Sequence, residues 1–210
     1  MTVFLDKAHN NTHGVVLRSS GIFYYKKSSD FKTTISLLNY WKIKRGIDVT
    51  IICSTRKLDG TLVLREKIPF NTSEVINYIP HIEQSDFEGS VEVEAFSSED
   101  IVIPYAAIIV IYESRFGISM THTYGRAYSV REIEEGNILS ICEETCCHSL
   151  ISRERGKSYF IFHNGNCITP AQEPVLSLLN HLGQRITVKL RLNPLNPYET
   201  VKIDPRNYFE

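Results

Sequence analysis

Eight residues from Gly89 to Phe96, GSVEVEAF, alternate apolar and charged side chains through their centre. A period of two belongs to an extended chain, whose successive Cβ atoms point to opposite faces. A helix does not carry it, because a helical apolar stripe recurs at three and four residues. Val91, Val93 and Ala95 therefore share one face of a strand, with Glu92 and Glu94 on the other. RITVKLRL repeats the pattern: Ile186, Val188, Leu190 and Leu192 face one way, and Thr187, Lys189 and Arg191 the other. Strands with one wet face suit antiparallel sheets. On this reading Glu92 and Glu94 are the wet face of their strand rather than a pair of catalytic carboxylates.

The remainder reads the same way. Short runs rich in Tyr, Phe, Ile, Val and Thr are separated by Gly, Asn, Asp and Pro. Strands are expected at Gly14–Leu17, Gly21–Tyr25, Thr33–Tyr40, Asp48–Ser54, Leu62–Ile68, Ser73–Tyr78, Ser90–Ser97, Ala106–Glu113, Met120–Tyr128, Ser158–His163, Pro174–Leu179, Arg185–Leu192 and Glu199–Ile203. LDGT (Leu58–Thr61) and HLGQ (His181–Gln184) read as hairpin turns, with glycine supplying the positive φ. Helix is expected over less than roughly 15% of the chain. Its one candidate is SVREIEEGNILSICEE, capped by Ser129. The fold class is all-β: an antiparallel β-sandwich of jelly-roll or immunoglobulin-like layers.

An internal repeat is expected within it. A segment from Ile35 and a segment from Tyr159 carry the same features in the same order. Each has an apolar strand ending in an Asn-containing turn, then a hairpin around a glycine, then a Pro-containing turn and a closing strand. Leu38 falls opposite Phe162, Gly60 opposite Gly183 and Ile76 opposite Ile203. Duplication of a small β unit is a natural route to packed sheets. The chain is accordingly divided into a β-sandwich unit over 1–130, a linker with a short helix over 131–157, and a second, smaller β unit over 158–210.

Charge and cysteine content narrow the function. Lys and Arg number 23 against 24 Asp and Glu, a net charge of −1, so no global basic field exists to hold nucleic acid or an anionic membrane. No window approaches the roughly 20 apolar residues of a membrane-spanning helix. The opening MTVFLDKAHNNTHG does not read as a signal peptide. Five cysteines, an odd number, suggest free thiols and a reducing, cytoplasmic setting.

Three clusters are candidates for chemistry. In ICEETCCHSL, Cys142, Cys146 and His148 are ligand types suited to zinc. Adjacent Cys146 and Cys147 are poor joint ligands, however, and packed thiols in a linker are the commoner outcome. In MTHTYGR, a single strand would put His122, Tyr124 and Arg126 on one face. Arg offers a fork to an anion, His and Tyr offer hydrogen bonds, and the Tyr ring offers a stacking face. In FIFHNGN, His163 and Asn164 end a strand. The aromatic-lysine runs GIFYYKK and LLNYWKIK read as strands with rings inside, with Tyr40 and Trp41 as a lesser carbohydrate platform.

No G-x-S-x-G, P-loop, G-x-G-x-x-G or H-E-x-x-H occurs, so no catalytic residue is assigned. The expected function is that of a non-catalytic ligand- or partner-binding or structural module. It would present His122, Tyr124 and Arg126, with His163 and Asn164, to a small polar or saccharide-like ligand or to a protein, itself included as a homo-oligomer. No cofactor is required on this reading. The alternative is a metal-binding protein or enzyme using His122 and His163 or the Cys142/Cys146/Cys147/His148 cluster, with zinc as the cofactor.

Overall fold

The computed structural model describes residues 16–69, 75–101, 107–122, 126–129, 157–180 and 182–209. Among them are thirteen β-strands: β1 Val16–Lys27, β2 Phe31–Leu38, β3 Thr50–Lys57, β4 Leu62–Ile68, β5 Val75–Tyr78, β6 Phe87–Phe96, β7 Ala107–Ser114, β8 Gly117–His122, β9 Arg126–Ser129, β10 Phe160–His163, β11 Val175–Leu179, β12 Arg185–Lys189 and β13 Thr200–Ile203. The chain is all-β. The pairings of β1 with β6 and β9, of β2 with β5 and β7, and of β7 with β8 are antiparallel, as are β10 with β13 and β11 with β12.

Two compact units emerge. The first holds β1 to β9 except the tip of the β3–β4 hairpin. The second holds β10 to β13 together with that tip, Arg56–Thr61. The sequence reading had assigned the tip to the first unit.

In the first unit one sheet has the order β4-β3-β6-β1-β9 and another the order β5-β2-β7-β8. The chain passes between them through a tight turn at Ser28–Phe31, where Ser28 N–H donates to Phe31 O at 2.8 Å. Thr33 Oγ1 locks this corner: it donates to Lys26 O at 2.7 Å and accepts from Lys26 N–H at 3.2 Å. Tyr112 Oη, from the second sheet, donates to Tyr24 O of the first at 3.0 Å.

One apolar core draws on both sheets. Phe23, Tyr25, Ile51, Cys53, Val91, Val93 and Ala95 come from the first, and Ile35, Leu37, Tyr78, Ile108 and Val110 from the second. Each fully buried aliphatic side chain of this kind contributes about 1.5–3 kcal/mol. The alternation in β6 thus places its Val and Ala residues in the core as expected.

Tyr40 and Trp41, expected at the end of a strand and as a carbohydrate platform, lie instead in a short helix, α1 (Tyr40–Arg45). Asn39 caps it, its Oδ1 accepting from Lys42 N–H at 3.1 Å. Gly46 ends it at φ +70°, in the left-handed region. Lys42, Lys44 and Arg45 stand in the last turn, where the helix dipole favours cations. Trp41 is buried in the core at 0% exposure, so its ring is not a surface platform.

In the second unit β10 pairs with β13 and β11 with β12, in two separate two-stranded sheets. The Arg56–Thr61 tip is fastened to the loop before β13. Thr200 N–H donates to Leu58 O at 2.8 Å, and the Arg56 guanidinium lies 3.8 Å from the Tyr198 ring centroid. Gly60 has φ +86°, and a Cβ on it would stand 2.3 Å from Pro197 O.

The wiring of the two units agrees in one respect. β2 and β5 pair across an intervening β3–β4 hairpin, and β10 and β13 pair across an intervening β11–β12 hairpin. Both hairpin glycines, Gly60 and Gly183, adopt positive φ. Asn39 and Asn164, each directly after the first strand of its set, are both buried.

Candidate functional site

β8 is an edge strand, and β7 is its one neighbour among the described residues. The two form a hairpin around the turn Arg115–Phe116, closed by the Ser114–Gly117 pair. All six residues of β8 are exposed. Ile118 and Met120 are each 69% exposed and Phe116 at the turn 84%. In register, Glu113 stands beside Ile118, Ile111 beside Met120 and Ile109 beside His122. Directly opposite residues of antiparallel strands share a face. Ile109, Ile111, Glu113, Ile118, Met120 and His122 therefore form one side of the hairpin, turned from the core and apolar except for Glu113 and His122. The face continues across β2 to the exposed Val75 of β5, which pairs with Leu38.

The expected grouping of His122, Tyr124 and Arg126 rested on one continuous strand from Met120 to Tyr128. That strand is two. β8 ends at His122 in the second sheet, and β9 begins at Arg126 in the first, pairing with β1. His122 and Arg126 therefore stand in strands of different sheets. Tyr124 and the side chain of Arg126 lie outside the described residues. So do Cys142, Cys146, Cys147 and His148, and with them the zinc cluster and the helix capped by Ser129.

His163 and Asn164 belong to the second unit and His122 to the first. His163 pairs with Thr200 across β10 and β13, and its Nδ1 lies 2.9 Å from Thr200 Oγ1. Burial lowers its pKa from 6.5 to about 4, because removal from water disfavours the imidazolium. At neutral pH the ring is uncharged. Asn164 is 3% exposed and fully engaged. Its Nδ2 donates to Cys167 O at 2.9 Å and Asn196 O at 2.7 Å, and its Oδ1 accepts from Thr169 Oγ1 at 2.6 Å. An amide with its groups committed to its own loop and to the loop before β13 is a structural clamp.

A second polar cluster occupies the face of the first sheet turned from the core. Glu92 and Glu94, expected to be wet, are each only 2% exposed. Arg18 Nη2 lies 2.5 Å from Glu94 Oε1 and 3.5 Å from Glu92 Oε1. Arg65 Nη2 donates to Glu94 Oε2 at 3.1 Å. The sum of the two Arg18 distances caps the separation of the two carboxylate oxygens. A general acid–base pair needs one carboxyl poised to give a proton. Here one guanidinium donates toward both, so the geometry is that of a buried ion network. Tyr24 Oη extends it, donating to Glu88 Oε1 at 2.7 Å.

Among the described residues no group of three or more His, Cys, Asp or Glu is placed to hold a metal ion. Among them, too, no helix is long and apolar enough to cross a membrane. Of the described cysteines, Cys53 is buried and Cys167 exposed, both as free thiols. Burial pushes the Cys53 thiol pKa well above its ordinary value, with Glu66 and Glu94 adding to the shift. Such a thiol is inert.

Of β8, only Met120–His122 fell within an expected strand, Met120–Tyr128, and Gly117–Ser119 fell in none. The two-residue turn and the strict Ile118/Met120 alternation could have separated it. Compared with protein-family models, curated proteins and solved structures, the chain matches none of them.

Proposed function

We propose that this chain is a non-catalytic β protein that acts by binding, and that it binds a protein partner through the outer edge of β8. The observation that supports this is that, among the described residues, no guarding device stands on that edge. Exposed edge strands are templates for pairing, and proteins blunt them with charge, proline, bulges or shortness. β4, one edge of the first sheet, carries Arg65, Glu66 and Lys67, and β5, the other edge of the second, is four residues long. β8 has six residues and no Lys, Arg, Asp, Glu or Pro. Apolar side chains at Ile118 and Met120 would supply specificity where backbone groups supply affinity, as in strand addition.

The two sheets with a shared core are read here as the layers of a β-sandwich. The common wiring of the two units is read as the trace of a duplication. A photo-crosslinking side chain at position 120, introduced in cells, tests the binding reading. One or a few discrete adducts support it. Adducts no different from those at exposed Val63 on charged β4 would count against it.

A further inference from the structure

We infer that the partner of β8 is the β8 edge of a second copy of this chain, joined in antiparallel register about a twofold axis at Ser119. The inference rests on the binding reading above and adds the identity of the occupant.

The argument begins with ladder phase. In a hairpin with a two-residue turn the closing pair is hydrogen-bonded, and bonded and non-bonded pairs then alternate. Ser114 and Gly117 are the closing pair. Gly117, Ser119 and Thr121 thus direct their backbone groups to β7, while Ile118 and Met120 direct theirs outward.

A second copy must meet outward residues with outward residues. It must also match faces, because opposite residues in an antiparallel pair share a side. Only registers that set an even-numbered residue against an even-numbered one meet both demands. A twofold at Ser119 does so and sets Ile118 of each copy against Met120 of the other. These are the two apolar side chains of β8, each 69% exposed. A twofold at Met120 would set Ile118 against His122, pairing an apolar group with a polar ring. A twofold between residues 119 and 120 fails on both phase and face.

Charge agrees with self-pairing. Between Gly117 and Thr121 no side chain is ionisable, so two copies meet with no like-charge contact. Charges flanking the hairpin are compensated within one copy: Lys32 Nζ lies 3.5 Å from Glu113 Oε2 and Arg115 Nη1 3.7 Å from Asp30 Oδ2. The pairing would join two four-stranded sheets into one of eight strands, with Ile109, Ile111, Ile118 and Met120 of both copies on a continuous face. A closed isologous contact of this kind pairs both β8 edges at once.

The axis position makes a sharp test. Ser119 would lie against itself, so a charge placed there meets its own kind. Sedimentation equilibrium of the full chain should give twice the mass of one chain. S119K and S119E should each sediment as monomers, and an equimolar mixture of the two should recover the dimer, with a dissociation constant at least tenfold below that of either alone. Emission from buried Trp41 reports that the variants keep the first unit folded. A wild-type monomer at every concentration overturns the inference. So does an S119K protein that remains dimeric, or a mixture that stays monomeric. A wild-type monomer with a discrete heterologous adduct at position 120 overturns self-pairing while leaving the binding reading standing.

Discussion

Acidification should weaken the second unit through a single residue, His163. Its imidazole is half-buried beside Thr200, and desolvation lowers its pKa to about 4 from an ordinary 6.5. The unfolded chain takes up a proton near pH 6.5 and the folded chain does not until about pH 4. Stability from this source is therefore whole above the unfolded pKa and is lost as pH falls through the window between the two values. The slope approaches ~1.4 kcal/mol per pH unit, and the loss across the window is about 3 kcal/mol. Other groups titrate in the same range, so the comparison needs a variant that keeps the Thr200 contact without titrating. H163Q is that variant. Urea unfolding of both proteins, followed by far-ultraviolet circular dichroism at pH 7, 6, 5 and 4 (about one point per unit), isolates the term by difference. H163Q should lose about 3 kcal/mol less than the wild type between the ends of the series. An NMR titration gives the same answer at the atom, with the His163 ring unmoved down to about pH 5. A wild-type-minus-variant difference that stays constant with pH, or a ring that titrates near 6.5, would refute the burial argument.

Two further substitutions test other parts of the fold. E94A removes a carboxylate only 2% exposed that both Arg18 and Arg65 engage, so it should cost about 3 kcal/mol. R65A should cost ~1 kcal/mol or less, because that side chain is 46% exposed. Trp41 emission during urea unfolding reads both, and equal losses would contradict a buried network centred on Glu94. Gly60 and Gly183 both stand at positive φ, but only Gly60 faces a backbone atom, Pro197 O. G183A should cost about 1 kcal/mol from backbone strain and G60A at least ~2 kcal/mol more. Calorimetry of the two variants separates them, and similar melting shifts would mean that the hairpin tip is not clasped against the loop before β13.

The period-two signal carried most of the strand map, because it depends only on neighbouring residues. β4 falls at Leu62–Ile68, and β11 and β13 fall within a residue of their expected starts. What the signal could not carry was the environment of the second face. Glu92 and Glu94 look wet from their own strand, yet their cation, Arg18, stands 76 residues away from Glu94 on the paired strand β1. The join between β8 and β9 was hidden for a related reason. A change of sheet is a tertiary event, and MTHTYGR has an unbroken alternation that fits one strand or two. Trp41 misled because a six-residue helix offers little more than one turn of periodicity. Its cap Asn39 and its stop Gly46 were the readable marks. His163 and Asn164 were expected to end a strand, and His163 is the last residue of β10 with Asn164 directly after it. Of their partners, Thr169 is local, while Thr200 and Asn196 are set by the return of the chain through β13.

The claim that this chain acts by binding along β8 meets its most direct test in crosslinking from Met120 inside the cell. With matched probes at Met120 and Val63, both exposed positions on edge strands, the account predicts discrete adducts from Met120 alone. Their mass should correspond to two copies of the chain, and the crosslink should map to Ile118 or its neighbours in the second copy. Equal, diffuse labelling from both positions, or none from Met120, would contradict it.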